Sequence, residues 1–421
     1  MLKETKNMHY LSSMHLSFRT CCLVELSGVL TNLKALRNIS IHHAPSHYHD
    51  VCVNCSNERW SKVLESMNLK TLTRISLRTD NLEKDSFQII LHRGQNLVAM
   101  DLDSHTIPDI YFKNAPENRC LRSIKLSRMQ FDDSSAESLV SFAPCIQHLT
   151  IHGDLSLLTY KGLEVICEQF KDIETISLRN SMAETVNISD VILYSMGSRW
   201  SCLRSLCLWF FEEITDSGIE AIVSGCPCLE IIDLLNAFNL TDASILALAN
   251  RCRLLKSVSF RSIEDCRCLF YRHISKTGFQ ELLIQRKHIQ EILLEGFDNL
   301  RNICFRLPTD SCLANNKLEV LRADGDGLKS KKVKLLKRRG LSKVHKSSRN
   351  CKHFDIRKSD HSHLRRITFE RVPLLDDESV YEILKFCPDI RHFYIDLCNN
   401  ISTNVELRAL KLCPDLTLYK H

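Results

Sequence analysis

The chain has 421 residues, 44% of them hydrophobic and 25% charged, with a formal net charge of +6. This is the composition of an ordinary soluble globular protein. No apolar run reaches 18 residues, and the first thirty residues lack a continuous apolar core, so neither a membrane span nor a secretory signal is expected.

The charge is unevenly placed. Residues 329–358 hold 13 Lys/Arg and one acid, Asp355, a net +12; the remainder, with 43 Lys/Arg against 49 Asp/Glu, is net −6. The basicity therefore belongs to one segment. The 20 cysteines are expected to be mostly small buried residues of a reducing cytosol or nucleus, not disulfides.

The first predicted strand starts almost at once, at Leu11, Met14 and Leu16. Leu26, Val29, Leu30 and Leu33 follow as a helical stripe, and Leu36, Ile39 and Ile41 start a second strand. The next stretch, residues 41–55, holds four His and the pair Cys52 and Cys55. Cys-x-x-Cys is a zinc half-site that His47 or His49 could complete. A second Cys pair at standard spacing is missing, and the alternative is a polar loop rich in His by chance. We assign no metal ligand there.

Leu72, Ile75 and Leu77 give a third strand, and further strands are predicted to start at Leu97, Leu121, Ile146, Ile173, Leu203, Leu229, Leu255, Ile289, Leu318, Leu364, Ile390 and Leu416. Helical stripes hold register between many of them, as in Phe87, Ile90 and Leu91, or Leu163, Ile166, Cys167 and Phe170. Four residues before most stripes stands Ser, Thr or Asp: Asp132, Thr159, Ser189, Thr215, Thr241, Ser275 and Asp376. These are the residue types that cap helix N-termini. Pro108 and Pro116 argue against a full helix between Leu97 and Leu121.

The period is clearest over Leu203–Leu255, where two units of 26 residues stand head to tail. Each begins Leu-x-x-Leu/Ile-x-Leu (Leu203, Leu206, Leu208; Leu229, Ile232, Leu234). Each continues with Thr-Asp (Thr215-Asp216; Thr241-Asp242) and then apolar residues spaced i, i+3, i+4, i+7. That is strand, turn and amphipathic helix in one repeat. The Thr hydroxyl can accept an orphan N–H, and the Asp suits the positive end of the helix dipole. One such unit cannot bury its apolar face alone, and stacking supplies the shared core. The expected fold is an α/β leucine-rich-repeat solenoid, a horseshoe with parallel strands on its concave face and helices on its convex face. The expected organisation is repeats over 1–323, a basic, disordered insertion over 324–363, and C-terminal repeats over 364–421. Neither end shows an obvious polar cap, so the chain reads either as cut from something larger or as one with unrecognised caps.

The same residues carry a resemblance. Cys226, Cys252, Cys387 and Cys413 before the strands, Cys398 after one, and Ile214-Thr215-Asp216 resemble the cysteine-containing repeats of the F-box/LRR family, over about residues 80–416. The resemblance implies the substrate-recognition part of an SCF-type E3 ubiquitin ligase receptor. It implies a protein substrate as partner, with a Skp adaptor and a cullin if an F-box lies upstream. No Leu-Pro-x-Glu start or leucine-rich three-helix stretch precedes the repeats here. The alternative is a non-catalytic scaffold or regulatory subunit of a larger assembly.

Outward strand positions are where such a module meets its partner. Arg179, Trp209, Arg261 and Tyr394 are the candidates, with Trp209 flanked by the two arginines as the expected hot spot, because Trp and Arg dominate interface energetics. The competing reading is that Trp209 packs on neighbouring strands. The basic run Lys331, Lys332, Lys334, Lys337, Arg338 and Arg339 reads as a solvated loop, an import signal or a contact for an acidic protein. No aromatic residue interleaves between 329 and 349 to stack on bases, which disfavours nucleic acid. No nucleophile elbow, zinc-protease or phosphate-loop motif is present, so we assign no catalytic residue and no cofactor. The expected location is cytoplasmic or nuclear.

Overall fold

A computed structural model of the chain describes residues 10–18, 23–43, 60–79, 82–104, 112–181 and 188–261, and then shorter stretches, chiefly 291–294, 320–324, 366–370, 391–396 and 404–420. It divides into two compact units, Met1–Ile188 and Ser189–His421.

The first unit carries seven parallel strands among its described residues: β1 (Ser13–Phe18), β2 (Asn38–His43), β3 (Arg74–Arg78), β4 (Ala99–Asp103), β5 (Ser123–Gln130), β6 (His148–Asp154) and β7 (Thr175–Asn180). Each pairs with its successor. Between them run helices α1 (Leu23–Leu30), α2 (Trp60–Ser66), α3 (Lys84–Arg93), α4 (Asp133–Phe142) and α5 (Tyr160–Gln169).

The second unit begins with α6 (Asp190–Arg199) and continues through β8 (Ser205–Trp209), α7 (Asp216–Gly225), β9 (Ile231–Leu235), α8 (Asp242–Arg251) and β10 (Ser257–Arg261). Then come β11 (Glu291–Leu294), β12 (Val320–Asp324), β13 (Arg366–Glu370), β14 (His392–Asp396), α9 (Val405–Leu412) and β15 (Thr417–Lys420). Here too each strand pairs in parallel with the next. This is a leucine-rich-repeat solenoid architecture. All but the last strand begin two residues after the predicted start.

The leucine pattern explains the core. In β8, Leu206 and Leu208 are buried while Ser205 and Trp209 are half-exposed; in β9, Ile232 and Leu234 are buried while Ile231 is exposed. The inward row meets the helix stripe Ile219, Ile222, Val223 and its successor Ile245, Leu248, Ala249, all buried. Each such side chain contributes roughly 1.5–3 kcal/mol on burial. Cys226 and Cys252, which follow these helices, are fully buried, and burial pushes the Cys226 thiol up to about 12. It is a packing group, not a nucleophile. Cys120 and Cys202, by contrast, are exposed.

Of the proline-bearing connector, residues 105–111 with Pro108 lie outside the described residues. Its described part, 112–122, contains turns and no helix. Phe112 fills the gap instead, edge-on to Phe87 of α3 at 5.4 Å and stacked on Phe142 of α4 at 5.3 Å. Buried Asn118 ties the chain down, donating from Nδ2 to the Gly94 carbonyl and accepting from the Cys120 and Leu121 amides.

The Thr-Asp motif does more than its sequence suggests. The Thr215 hydroxyl oxygen accepts from the Ser217 amide, as a cap should, and its own proton goes to Asp190 Oδ2 at 2.5 Å. Asp190 Oδ1 also accepts the Thr215 amide, at 2.8 Å. Asp216 receives Thr241 in the same way, at 2.9 and 2.6 Å, together with the amide and hydroxyl of Ser244. Asp133 receives Thr159 and Asp377 receives Ser402. The Asp of one repeat thus closes the helix start of the next. Three residues after the Thr, Gly162 and Gly218 sit against Asp133 and Asp190, where a Cβ would strike the carboxylate. Of the seven predicted caps, one differs and two cannot be compared. Ser189 makes no capping bond. Ser275 and Asp376 lie outside the described residues.

Candidate protein-interaction face

The alternation that buries the leucines turns the intervening residues outward. In the first unit this face carries Arg78, Asp103, Ser127, His152 and Arg179 in one continuous register row. Arg78 Nε reaches Asp103 Oδ2 at 3.1 Å. Arg128 pairs with the other carboxylate oxygen, and its Nη2 donates to the backbone carbonyls of Thr79 and Asp103 at 3.3 and 3.2 Å. Asp103 is therefore clamped between two guanidiniums, geometry that outweighs the loose surface ion pairs elsewhere.

Sequence reasoning missed Arg128. Strict alternation points residue 128 inward beside Leu126. The backbone instead takes a left-handed step there, φ 62°, and the register slips between Ser127 and Met129. This bulge sends Met129 and Phe131 into the core and frees Arg128 to reach Asp103. The readable signal was an arginine at a position that alternation assigns to the core.

His152 sits beside this clamp. Its Nε2 lies 3.2 Å from the Ser177 hydroxyl. Burial, aided by Arg179 and Lys125 and opposed by Asp103, lowers its pKa to about 4. It is a neutral hydrogen-bonding group at pH 7, and Arg179 is half-buried at the end of the same row.

In the second unit, Trp209 donates from Nε1 to Asp233 Oδ2 at 3.1 Å, and the Cys207 thiol points to the same oxygen at 3.4 Å. The indole is thus half-buried and tied to the neighbouring strand. Register places Leu235 beside Trp209, and Arg261 beside Leu235 on the next strand. Tyr394 stands between Thr368 and Tyr419. After β8 and β9 the chain turns at Phe210 and Asn236, both at positive φ (68° and 61°).

A groove of about 370 Å³ crosses the outward face of β1 to β5, lined by hydroxyl and charged groups including Ser13, His15, Ser40, Arg74, Asp101 and Lys125. Among the described residues no cluster of three His, Cys, Asp or Glu could hold a metal ion, and no helix is long and apolar enough to cross a membrane. His47, His49, Cys52, Cys55 and the basic run Lys331–Arg339 lie outside the described residues.

No protein-family model matches the chain. Over 165 residues it is 27% identical to F-box/LRR-repeat protein 4 of Bos taurus, a match covering 39% of this chain and 22% of that protein's length. Its fold resembles a chain in the crystal structure of the Rad7 and Elc1 complex in yeast, with a TM-score of 0.52 and 13% identity, over 98% of this chain and 82% of that one. In its repeats the chain is F-box/LRR-like. In this chain the Thr-Asp at each helix start forms the ladder to the preceding Asp, and the thiols after the helices fill the core.

Proposed function

We propose that this chain is a protein-recognition module, serving as the substrate-binding part of an SCF-type ubiquitin ligase receptor. The observation that carries the reading is the contrast between the two sheet faces. One face is apolar throughout, chiefly leucine and isoleucine with Met100, Val258, Phe260 and Phe393, whereas the other varies from strand to strand, with a Trp and several arginines on its strands. Rigid Trp and Arg side chains are the favoured anchors of protein interfaces. In this reading Arg179, Trp209, Arg261 and Tyr394 contact the partner. The 324–363 segment is a basic insertion between repeats 1–323 and 364–421, and its run Lys331–Arg339 serves import or an acidic contact. A Skp adaptor and a cullin join if an F-box precedes the repeats.

The second reading is a scaffold subunit without ubiquitin-ligase membership, in which the same outward face meets the other members of an assembly. One experiment separates them. Tagged full-length chain is cross-linked in cells and its partners quantified, alongside an Arg179→Ala/Trp209→Ala variant. Skp adaptor and cullin in near-equal amount with the chain support the first reading. Their absence, with other proteins cross-linked to the strand face, supports the second. Partners that are retained in full by the double variant and cross-link only to the helices would overturn both.

A further inference from the structure

We propose that the groove across β1 to β5 binds a short extended acidic segment of a partner protein, a refinement that rests on the protein-recognition reading above. The groove is lined by hydroxyls (Ser13, Ser40, Ser76, Ser123) and two exposed cations, Arg74 and Lys125. Hydroxyls donate to carboxylate oxygens, and the cations supply the charge. Arg74 makes no ion pair among the described residues. Lys125 makes a single one, with Asp101 at 3.6 Å and both groups well exposed, which is weak enough to be shared with a ligand. The groove is therefore locally cationic, although the chain outside the 329–358 segment is net acidic.

The dimensions fit a peptide. Five strands about 4.8 Å apart span roughly 19 Å, the length of about six extended residues. Lys125 lies two strands and two residues away from the register row of Arg74. That is roughly 12 Å, so acidic residues three or four apart in an extended segment would meet both cations. A nucleic acid is disfavoured. The outward positions of β1 to β5 between Ser13 and Ser127 offer no Trp, Tyr or Phe for base stacking, and Asp101 stands in the floor of the groove.

The test uses full-length protein and a fluorescent hexaglutamate peptide, read by anisotropy. We expect saturable binding that Arg74→Glu/Lys125→Glu weakens roughly tenfold or more, as reversal of a steering field does. Asp101→Ser, which removes the one acid among the groove-lining residues, should tighten binding, and this gain does not depend on any loss of fold. Lys161→Glu/Lys171→Glu, the same charge change at exposed positions on and after α5, should leave affinity unchanged. Equal weakening by both double variants, no gain in Asp101→Ser, or equal competition by an oligothymidine strand overturns the proposal. Cross-linked partners that survive Arg74→Glu/Lys125→Glu but vanish in Arg179→Ala/Trp209→Ala would overturn the acidic-segment site while leaving protein recognition standing.

Discussion

The two units share a buried skeleton and differ on the face they show. In the first, the outward rows of β2 to β7 are Ser, Thr, Asn, His, Arg, Lys and Asp with a single Ala99, knitted by the Arg78–Asp103–Arg128 clamp and the His152–Ser177 contact. In the second, β8 and β9 present half-buried Trp209 and exposed Ile231, with Leu235 buried beside the indole, and Asp233 accepts from the indole and from Cys207. The inward rows are interchangeable, with Leu126 and Ile151 in one unit matched by Leu208 and Leu234 in the other, all essentially inaccessible. In the proposed reading, stability and recognition are thus written on alternate residues of the same strand. One can change while the other is kept.

Core truncation should have the largest effect and should erase the contrast. Leu126→Ala and Leu234→Ala each remove a fully buried side chain, and each should cost about 2–5 kcal/mol, measured by urea unfolding. Unequal costs, with one near zero, would mean that the two cores are not alike.

The ladder comes next. Asp216→Ala strands four donors from Thr241 and Ser244, and should cost about 2–3 kcal/mol in the second unit. Burial pushes the Asp216 carboxyl up, but the Ser244 and Thr241 hydrogen bonds outweigh it, leaving the pKa below its ordinary value. A carboxylate lowered in the folded state stabilises above its unfolded pKa and loses that contribution as pH falls through the folded value. The gap between wild type and Asp216→Asn should therefore close in urea titrations taken from pH 7 to below the ordinary Asp range. A gap that persists unchanged in acid would remove the charge from the account.

The first unit has its own pH signature. His152 binds its proton at about 4 when folded against about 6.5 when unfolded. Between those values the unfolded chain holds more protons, so stability falls as pH drops from about 6.5 toward 4. His152→Gln should flatten that slope, and an unaltered slope would point to other groups. The smallest effect belongs to the exposed bridge in which Glu230 receives Lys256 and, at 2.7 Å, Arg204. Glu230→Gln should change stability by less than about 1 kcal/mol, and by nothing measurable near 1 M salt, where charges are screened within about 3 Å.

Much of this architecture was legible because the leucine spacing repeats the same physical demand fifteen times, and a strand must start wherever that demand recurs. The ladder was half legible. Thr215 reads as a cap from its own sequence neighbourhood, but its bond to Asp190 joins residues 25 apart, and local rules cannot see it. Arg128 was illegible for a related reason: a bulge breaks the alternation on which the reading depended. The outward face was least legible. Exposed positions are not constrained by packing, so Leu235 beside Trp209 and the groove beneath Arg74 emerge only once the strands are laid side by side.

The ladder also has a direction. In every rung described, the carboxylate belongs to the earlier repeat and its donors to the later one. Each new helix start made by the ribosome therefore meets an acceptor that has already been synthesised. Assembly can proceed from the first repeat to the last, with no helix start waiting for residues still to come.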